Sequence, residues 1–218
     1  MTWAILPVKE LEGAKQRLSP ALTPAQRVAL MQVMIGEVLA ALTAARGLAG
    51  VALVTLDPWA TALARRSGAR VLTEGARTGH TGSVTAAARV LAAESARGIV
   101  TLPGDIPAAT PAEIEAVLAA HGEAPAFTIA PAHDELGSNA IVMSPPLAVP
   151  LRFGEDSYVP HLAAARAQGI APRIVPLPGI GMDIDHPADL ASFARLPEAQ
   201  GTRTLAFLRE CGLAPPAR

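Results

Sequence analysis

The sequence has few aromatic residues, a single cysteine and no surplus of either charge. Phe, Trp and Tyr make up 3% of its 218 residues, and the formal net charge is −1. Because long-range attraction to a polyanion needs a surplus of positive charge, we expect no nucleic-acid partner. Cys211 stands alone, which excludes an intramolecular disulfide and a thiolate metal site. Any phosphate-binding site must therefore be local.

The features of an exported or membrane-bound chain are also missing. Residues 1–8 have no basic stretch and only a short apolar run, so they do not resemble a signal peptide. The most apolar long stretch, residues 29–45, is interrupted by Gln32, Glu37 and Thr43, which predicts a core helix rather than a membrane span. We therefore expect a cytoplasmic protein without a membrane partner. The apolar helices are compatible with a homodimer, but no segment specifies one.

Several common catalytic motifs are absent as well. No G-x-G-x-x-G follows the first predicted strand, which disfavours a nicotinamide-dependent dehydrogenase. No Walker lysine motif and no G-x-S-x-G segment occurs. The five histidines show no spacing typical of metal ligands.

What the sequence does contain is an alternation of short aliphatic runs with longer helical patterns. The hydrophobic fraction of 50% supports a large core, which aliphatic side chains must fill. Such alternation is typical of a mostly parallel sheet with helices on both faces. We predict one α/β domain over residues 1–218, with the turn-rich segment 125–177 as a candidate antiparallel extension. Thr23-Pro24 and Thr110-Pro111 each predict a capped helix start. The pattern also predicts a helix that begins at Ser83 and a strand from Arg173 to Leu177.

Three aspartates give the strongest chemical signal. Asp105 follows the predicted strand 98–102, at the edge where open α/β sheets place their ligands. Asp183 and Asp185 are two residues apart, so on an extended segment their side chains point the same way. Carboxylates suit a hard cation such as Mg²⁺, with Mn²⁺ as the second choice. We predict a shared metal site, although each aspartate could instead order a turn or cap a helix.

A basic loop after the first predicted strand supplies the opposite charge. Lys9, Lys15 and Arg17 could hold a triphosphate there and stabilise the leaving pyrophosphate. The alternative interpretation is a solvated surface loop. Taken with the acids, the loop predicts a catalytic group of Lys9, Lys15, Arg17 and Asp105.

Two loop-to-helix junctions could contact substrates. Gly79 and Gly82 with Ser83 could hold a base or ribose, or form only a turn and a cap. Gly154 and Ser157 precede a helix, where backbone N–H groups could cradle an anion or where Ser157 could simply cap the helix.

His161 falls one turn after Ser157 on the same helix face, so it could touch the same ligand. A lone helical histidine is more often a packing or surface residue.

These segments, in this order, resemble the phospholactate guanylyltransferase family of deazaflavin (coenzyme F420) biosynthesis. The matching segments, between Trp3 and roughly Leu190, are Pro7-Val8-Lys9, Lys15-Gln16-Arg17-Leu18, Leu102-Pro103-Gly104-Asp105-Ile106-Pro107, Gly137-Ser138-Asn139-Ala140, Arg152-Phe153-Gly154 with Ser157 and His161, and Asp183-Ile184-Asp185-His186-Pro187-Ala188-Asp189-Leu190. The resemblance implies a nucleotide-diphospho-sugar-transferase-like fold, a three-layer α/β/α sandwich around a mixed, mostly parallel sheet. It also implies an enzyme that joins GTP to 2-phospho-L-lactate or phosphoenolpyruvate and releases pyrophosphate.

The resemblance assigns roles to individual positions. Residues that match Asp105, Asp183 and Asp185 hold Mg²⁺ in that family, and the basic loop holds the triphosphate. The predicted residues for the small acid are Ser138, Asn139, Gly154, Ser157 and His161. The predicted residues for the nucleotide are Pro7, Val8, Gly79, Gly82, Ser83 and Pro103.

One segment departs from the family pattern. Where the family usually has a Gly-Leu-Asn type motif, this chain has Thr78-Gly79-His80-Thr81-Gly82-Ser83-Val84, which is closer to the Ser-Val motif of other nucleotidyltransferases. Three alternatives therefore stay open. They are a transferase of the same fold that uses another nucleotide and a sugar or alcohol phosphate, a nucleotide-sugar-dependent glycosyltransferase, and a non-catalytic nucleotide sensor.

Overall fold

A computed structural model describes residues 1–154 and 156–216 of the chain. Its strands are β1 (Thr2–Pro7), β2 (Leu48–Val54), β3 (Arg70–Leu72), β4 (Gly98–Thr101), β5 (Ala126–Pro131), β6 (Ser138–Ser144) and β7 (Arg173–Ile174). Its helices are α1 (Pro24–Ala44), α2 (Pro58–Arg66), α3 (Gly79–Ala93), α4 (Pro111–Ala119), α5 (Tyr158–Ala167), α6 (Pro178–Gly181), α7 (Pro187–Phe193) and α8 (Arg203–Glu210), with short 3₁₀ turns at Gln16–Leu18 and Pro197–Ala199.

The strands form one sheet in the order β3-β2-β1-β4-β6-β5-β7. Four neighbouring pairs are parallel, whereas β6 runs antiparallel to both β4 and β5. The prediction of a mixed, mostly parallel sheet is confirmed. The reversed strand lies within the turn-rich segment 125–177, as expected.

Helices cover both faces of this sheet. Side chains alternate along each strand, so Leu6 of β1 faces α1, α2 and α4, whereas the neighbouring Ile5 faces α3 and α5. A further apolar cluster joins α7 and α8 to the first half of α1. The predicted three-layer sandwich is therefore confirmed.

Two of the helices begin as the sequence predicts. Thr23 and Thr110 each cap a helix whose first residue is proline, and each shares a reciprocal capping box with the residue three positions later, Gln26 or Glu113. The long helix α1 has the length and hydropathy of a membrane-crossing segment. Its inner face is fully buried against the rest of the chain, as in the core helix of an α/β domain.

Two predicted element boundaries differ from the structure. Helix α3 begins at Gly79 rather than at Ser83, so the predicted junction loop is already the first helical turn. Strand β7 is only two residues long, and the short helix α6 follows where strand had been expected to continue to Leu177. Each difference lies in a segment whose conformation depends on tertiary contacts more than on local pattern.

The strand order reverses between β1 and β4. Strand β1 leads through α1 to β2 on one side, whereas β4 pairs with β1 on the other. The carboxyl ends of these two strands therefore open a crevice at the position where α/β sheets bind ligands.

Candidate active site

The basic loop after β1 is held in one conformation by buried polar contacts. The guanidinium of Arg27, which is 6% exposed, donates to the carbonyl oxygens of Ala14 (3.2 Å) and Leu22 (3.0 Å). The N–H of Leu11 donates to Oδ2 of Asp57 at 3.4 Å. These contacts fix the loop that carries Lys9 and Lys15.

Lys15 lies between two of the three predicted metal ligands. Its Nζ lies 2.6 Å from Oδ2 of Asp105 and 2.5 Å from Oδ1 of Asp185, and its side chain is 7% exposed. The N–H of Ile184 also donates to the carbonyl oxygen of Asp105 at 3.0 Å. The structure thus brings together the basic loop, the end of β4 and the Asp183–Asp185 segment. Arg17 stands at the rim, 3.9 Å from Asp185.

The ammonium and the carboxylates stabilise each other's charges. Burial acts to lower the pKa of Lys15, but Asp105 and Asp185 outweigh it and raise that pKa. Burial acts to raise the pKa of Asp185, but the Lys15 ammonium outweighs it, so this pKa is lowered. The position between Asp105 and Asp185 is therefore a site for positive charge.

Asp183 has a different environment. Its pKa is raised, first by burial and then by the charges of Asp105 and Asp185, although the amide of Asn139 opposes the shift. Asn139 Nδ2 donates to Oδ1 of Asp183 at 3.0 Å and also contacts the carbonyl oxygens of Ile180 and Gly181. Asn139 thus positions Asp183, besides lining a cavity beside it.

Within residues 1–154 and 156–216, no group of three or more His, Cys, Asp or Glu is already arranged around one metal position. The Lys15 ammonium takes the place between two of the carboxylates.

Two cavities meet at these charged groups. The first cavity, ≈ 570 Å³, is lined by the basic loop together with Pro7, Val8, Ser83, Pro103 and Gly104. The second cavity, ≈ 890 Å³, is lined by Gly79, Ser138, Asn139, Gly154, Ser157 and Asp183, among others. The two share one wall, formed by Lys9, Arg17, His80, Pro103, Asp105 and Asp185. Such an arrangement suits two ligands that meet at a group of charges.

Two predicted site residues line neither cavity. An added Cβ at Gly82 would lie 2.6 Å from Cβ of Thr78, so glycine is required there for close packing rather than for a ligand. His161 is fully buried beneath the second cavity and bonds to Ser138, which lines it. Ser83 does line the first cavity, but its hydroxyl already donates to the carbonyl oxygens of Gly75 and Gly79.

A family model described as "Guanylyl transferase CofC like" matches residues 2–215. The chain belongs to the CofC-like guanylyltransferase family.

Three relatives of this CofC-like chain illustrate the range of acids named in the family. A phosphoenolpyruvate guanylyltransferase of Rubrobacter xylanophilus is 38% identical over 87% of this chain and 91% of its own length. A 3-phospho-D-glycerate guanylyltransferase of Colwellia psychrerythraea is 31% identical over 88% of this chain and 90% of its own length. A 2-phospho-L-lactate guanylyltransferase of Methanothermobacter thermautotrophicus is 31% identical over 96% of this chain and 90% of its own length. None of the three names supports the sugar-phosphate, glycosyltransferase or sensor alternatives.

The fold is also similar to that of a solved structure described as a nucleotide-diphospho-sugar transferase, from Desulfovibrio desulfuricans G20. The TM-score is 0.75 over 96% of this chain and 94% of that one, with 18% sequence identity. At this identity the likeness establishes the fold alone.

The site of this CofC-like chain includes a histidine, His80, that sequence reasoning missed. His80 lies in the shared wall with its ring centroid 4.2 Å from that of Phe153. Burial lowers the pKa of His80 to about 4, with Lys9 adding to the shift and Asp105 opposing it. Its Nε2 is buried without a hydrogen-bond partner among the described residues. In the sequence, only the unusual segment 78–84 pointed to this part of the site, and it did not single out His80.

Arg27→Met is expected to loosen the basic loop. Two carbonyl groups would lose their buried donor, which should lower the free energy of unfolding by about 1–3 kcal/mol. Because the loop carries Lys9 and Lys15, the KM for the nucleotide should rise as well. Denaturant unfolding and steady-state kinetics would measure the two effects.

The matched control for this change is Arg66→Met, which removes an exposed arginine at the end of α2. Equal unfolding free energies for the two variants would show that Arg27 does not hold the loop.

Proposed function

We propose that this chain is a guanylyltransferase that joins GTP to a small phosphorylated three-carbon acid and releases pyrophosphate. The observation that carries the proposal is the shared wall, where the first and second cavities meet at cations and carboxylates. A nucleotidyl transfer needs two anionic substrates side by side with their charges neutralised, and this wall offers that arrangement. The product would serve coenzyme F420 biosynthesis in the cytoplasm.

The first cavity suits the nucleotide. Lys9 and Arg17 lie in the shared wall and Lys15 also lines the first cavity, so a triphosphate there would meet three positive charges. Backbone and side-chain donors aimed at a leaving pyrophosphate lower the barrier because charge develops there in the transition state.

Asp105, Asp183 and Asp185 are the residues that would hold Mg²⁺, or Mn²⁺ in its place. All three present carboxylate oxygens, the donors that a hard divalent cation prefers. Burial first, and then the charges of Asp105 and Asp185, raise the pKa of Asp183, and a bound cation would stabilise its ionised carboxylate. When bound, the ion supplies charge neutralisation for the phosphates that react.

The second cavity suits the acid. Its phosphate is the nucleophile, so it must reach the shared wall, where the cationic groups Lys9 and Arg17 are. The carboxylate then lies on the far side, towards the hydroxyl groups of Ser138 and Ser157. A phosphate monoester is already ionised at neutral pH, so the reaction needs positioning and charge neutralisation rather than a general base.

Pyrophosphate release from the purified protein tests the proposal. GTP, ATP, CTP and UTP would each be combined with Mg²⁺ and with phosphoenolpyruvate, 2-phospho-L-lactate or 3-phospho-D-glycerate. We expect release with GTP and with one of these acids. Release with a nucleotide other than GTP would contradict the proposal, and so would the absence of release with all three acids.

A further inference from the structure

His161 lies directly beneath the second cavity, and both of its ring nitrogens are bonded. The side chain is fully buried on helix α5. Its Nδ1 lies 3.0 Å from Oγ of Ser138, and its Nε2 accepts from the backbone N–H of Arg152 at 2.9 Å. The ring therefore connects the wall of the second cavity to the loop that carries Phe153 and Gly154.

These contacts determine which nitrogen carries the proton. A backbone N–H can only donate, so Nε2 of His161 must present its lone pair to Arg152. Burial lowers the pKa of His161 to about 4, so the ring is neutral at physiological pH. A neutral ring with a free Nε2 carries its proton on Nδ1, and it therefore donates to Oγ of Ser138.

The direction of this bond affects the two serines. Oγ of Ser138 and Oγ of Ser157 lie 3.1 Å apart, so one of the two hydroxyl protons lies between them. Because Ser138 already accepts from His161, it cannot turn its own proton towards the ring. The second hydroxyl proton has no acceptor among residues 1–154 and 156–216, and both serines line the second cavity. The pair therefore presents a donor to that cavity.

We propose that His161 is a positioning residue that makes the Ser138–Ser157 pair a hydrogen-bond donor to the carboxylate of the acid substrate. The inference rests on the proposed function, which places the carboxylate beside these serines, and adds the residue that sets the direction of their hydrogen bonds. A carboxylate accepts hydrogen bonds and cannot donate them, so it matches a pair of hydroxyls whose free proton faces the cavity. His161 acts through Ser138 and does not itself touch the substrate.

Two substitutions separate the bonds of His161. His161→Asn keeps an amide donor near the position of Nδ1, whereas His161→Gln keeps an acceptor near the position of Nε2. We expect His161→Gln to raise the KM for the acid about tenfold, with kcat within about threefold and the KM for GTP unchanged. In His161→Asn, which keeps the donor to Ser138, the KM for the acid should stay within about threefold of the wild-type value.

A double-mutant cycle with Ser138→Ala tests whether the effect passes through Ser138. If it does, His161→Gln should raise the KM for the acid little further once the hydroxyl of Ser138 is gone. Additive effects would overturn the proposal.

His121→Gln is the matched control. His121 bonds through Nδ1 to Thr128 (3.0 Å) and through Nε2 to Ser144 (2.7 Å), but it lines a separate cavity with Thr2 and Arg46. This variant also loses a histidine bonded at both nitrogens, so it should lower Tm while leaving both KM values unchanged.

The outcomes distinguish this inference from the proposed function. No pyrophosphate release by the wild-type protein would overturn the proposed function, and the carboxylate assignment with it. Release by the wild-type protein with an unchanged KM for the acid in His161→Gln, or equal increases in the KM for the acid and for GTP, would overturn the inference alone. Spectra of ¹⁵N-labelled histidine that place the His161 proton on Nε2 would overturn it independently of activity.

Discussion

Asp183→Asn is expected to abolish pyrophosphate release while raising the thermal stability of the metal-free protein. Burial and the neighbouring charges of Asp105 and Asp185 raise the pKa of Asp183. The folded chain therefore holds this proton more tightly than the unfolded chain does, so the ionised carboxylate lowers stability at neutral pH. An amide removes that charge and can still accept the hydrogen bond from Asn139. We expect Tm to rise by about 2–4 °C, the shift that roughly 1 kcal/mol causes in a chain of this size.

Activity should change in the opposite direction. Asp183 is one of three carboxylates proposed to bind the metal ion, and an amide contributes no charge to a divalent cation. Turnover should fall by about 10²–10³-fold or more, the loss that follows removal of a group that stabilises transition-state charge. Asp105→Asn should cause a similar loss of turnover, although it also weakens the pair with Lys15 and should not stabilise the fold.

Pyrophosphate release and thermal unfolding without added metal would measure both effects. Glu94→Gln is a suitable control, because Glu94 is an exposed carboxylate that pairs with Arg70 far from both cavities. Full activity in Asp183→Asn would show that Asp183 is not one of the metal ligands. Lower stability of the metal-free variant would show that the charge of Asp183 is better compensated than its environment indicates.

The sequence was sufficient to predict the parts of the site that depend on strand ends. Asp105 follows β4 and the basic loop follows β1, and the carboxyl ends of neighbouring parallel strands meet at one edge of the sheet. Strand–helix alternation was enough to predict that geometry. Capping by Thr110 and Glu113 was equally local, because both partners lie within one helical turn.

Glu113 also makes long-range contacts that a local sequence pattern cannot predict. Besides its capping role, its carboxylate accepts from the backbone N–H groups of Gly179 (2.7 Å) and Ile180 (3.1 Å). It thus holds α6 against α4 and helps to position the segment that leads to Asp183. These bonds span 66 and 67 residues, so no periodicity in the sequence could have predicted them.

His80 was missed, and His161 was predicted without its contacts, for a related reason. The neighbours of His80 and His161 come from distant segments, and Phe153 packs against both rings. A histidine in a helical pattern is more often a packing or surface residue than a ligand, and only its neighbours decide between the two. The role of His161 beneath the second cavity, rather than in its wall, follows from its contacts and not from its spacing to Ser157.

Lys15→Met is expected to abolish turnover and to destabilise the metal-free protein at neutral pH. Removal of the ammonium leaves Asp105 and Asp185 facing each other with Asp183 nearby. Breaking a buried pair in this way is strongly destabilising, but Asp185 is 40% exposed, so solvent screening reduces the expected loss to about 1–3 kcal/mol. Loss of a cation from the triphosphate loop should lower turnover by about 10²–10³-fold.

The loss of stability should depend on pH in a definite direction. In the wild type, Lys15 lowers the pKa of Asp185, so the pair contributes stability that is present above the unfolded pKa of 3.8 and is lost as the pH falls through the lower folded value. The difference in unfolding free energy between wild type and Lys15→Met should therefore be largest near neutral pH and shrink below about pH 4. Denaturant unfolding at several pH values would measure it.

Added Mg²⁺ should stabilise Lys15→Met more than the wild type, because the variant has lost the positive charge that lies between two of the carboxylates. Lys9→Met is the matched control, since Lys9 lies in the shared wall but is exposed to solvent. It should reduce turnover with little change in Tm or in the response to Mg²⁺. If both lysine variants unfold alike with and without Mg²⁺, then Lys15 does not compensate the carboxylates, and its role is confined to the nucleotide.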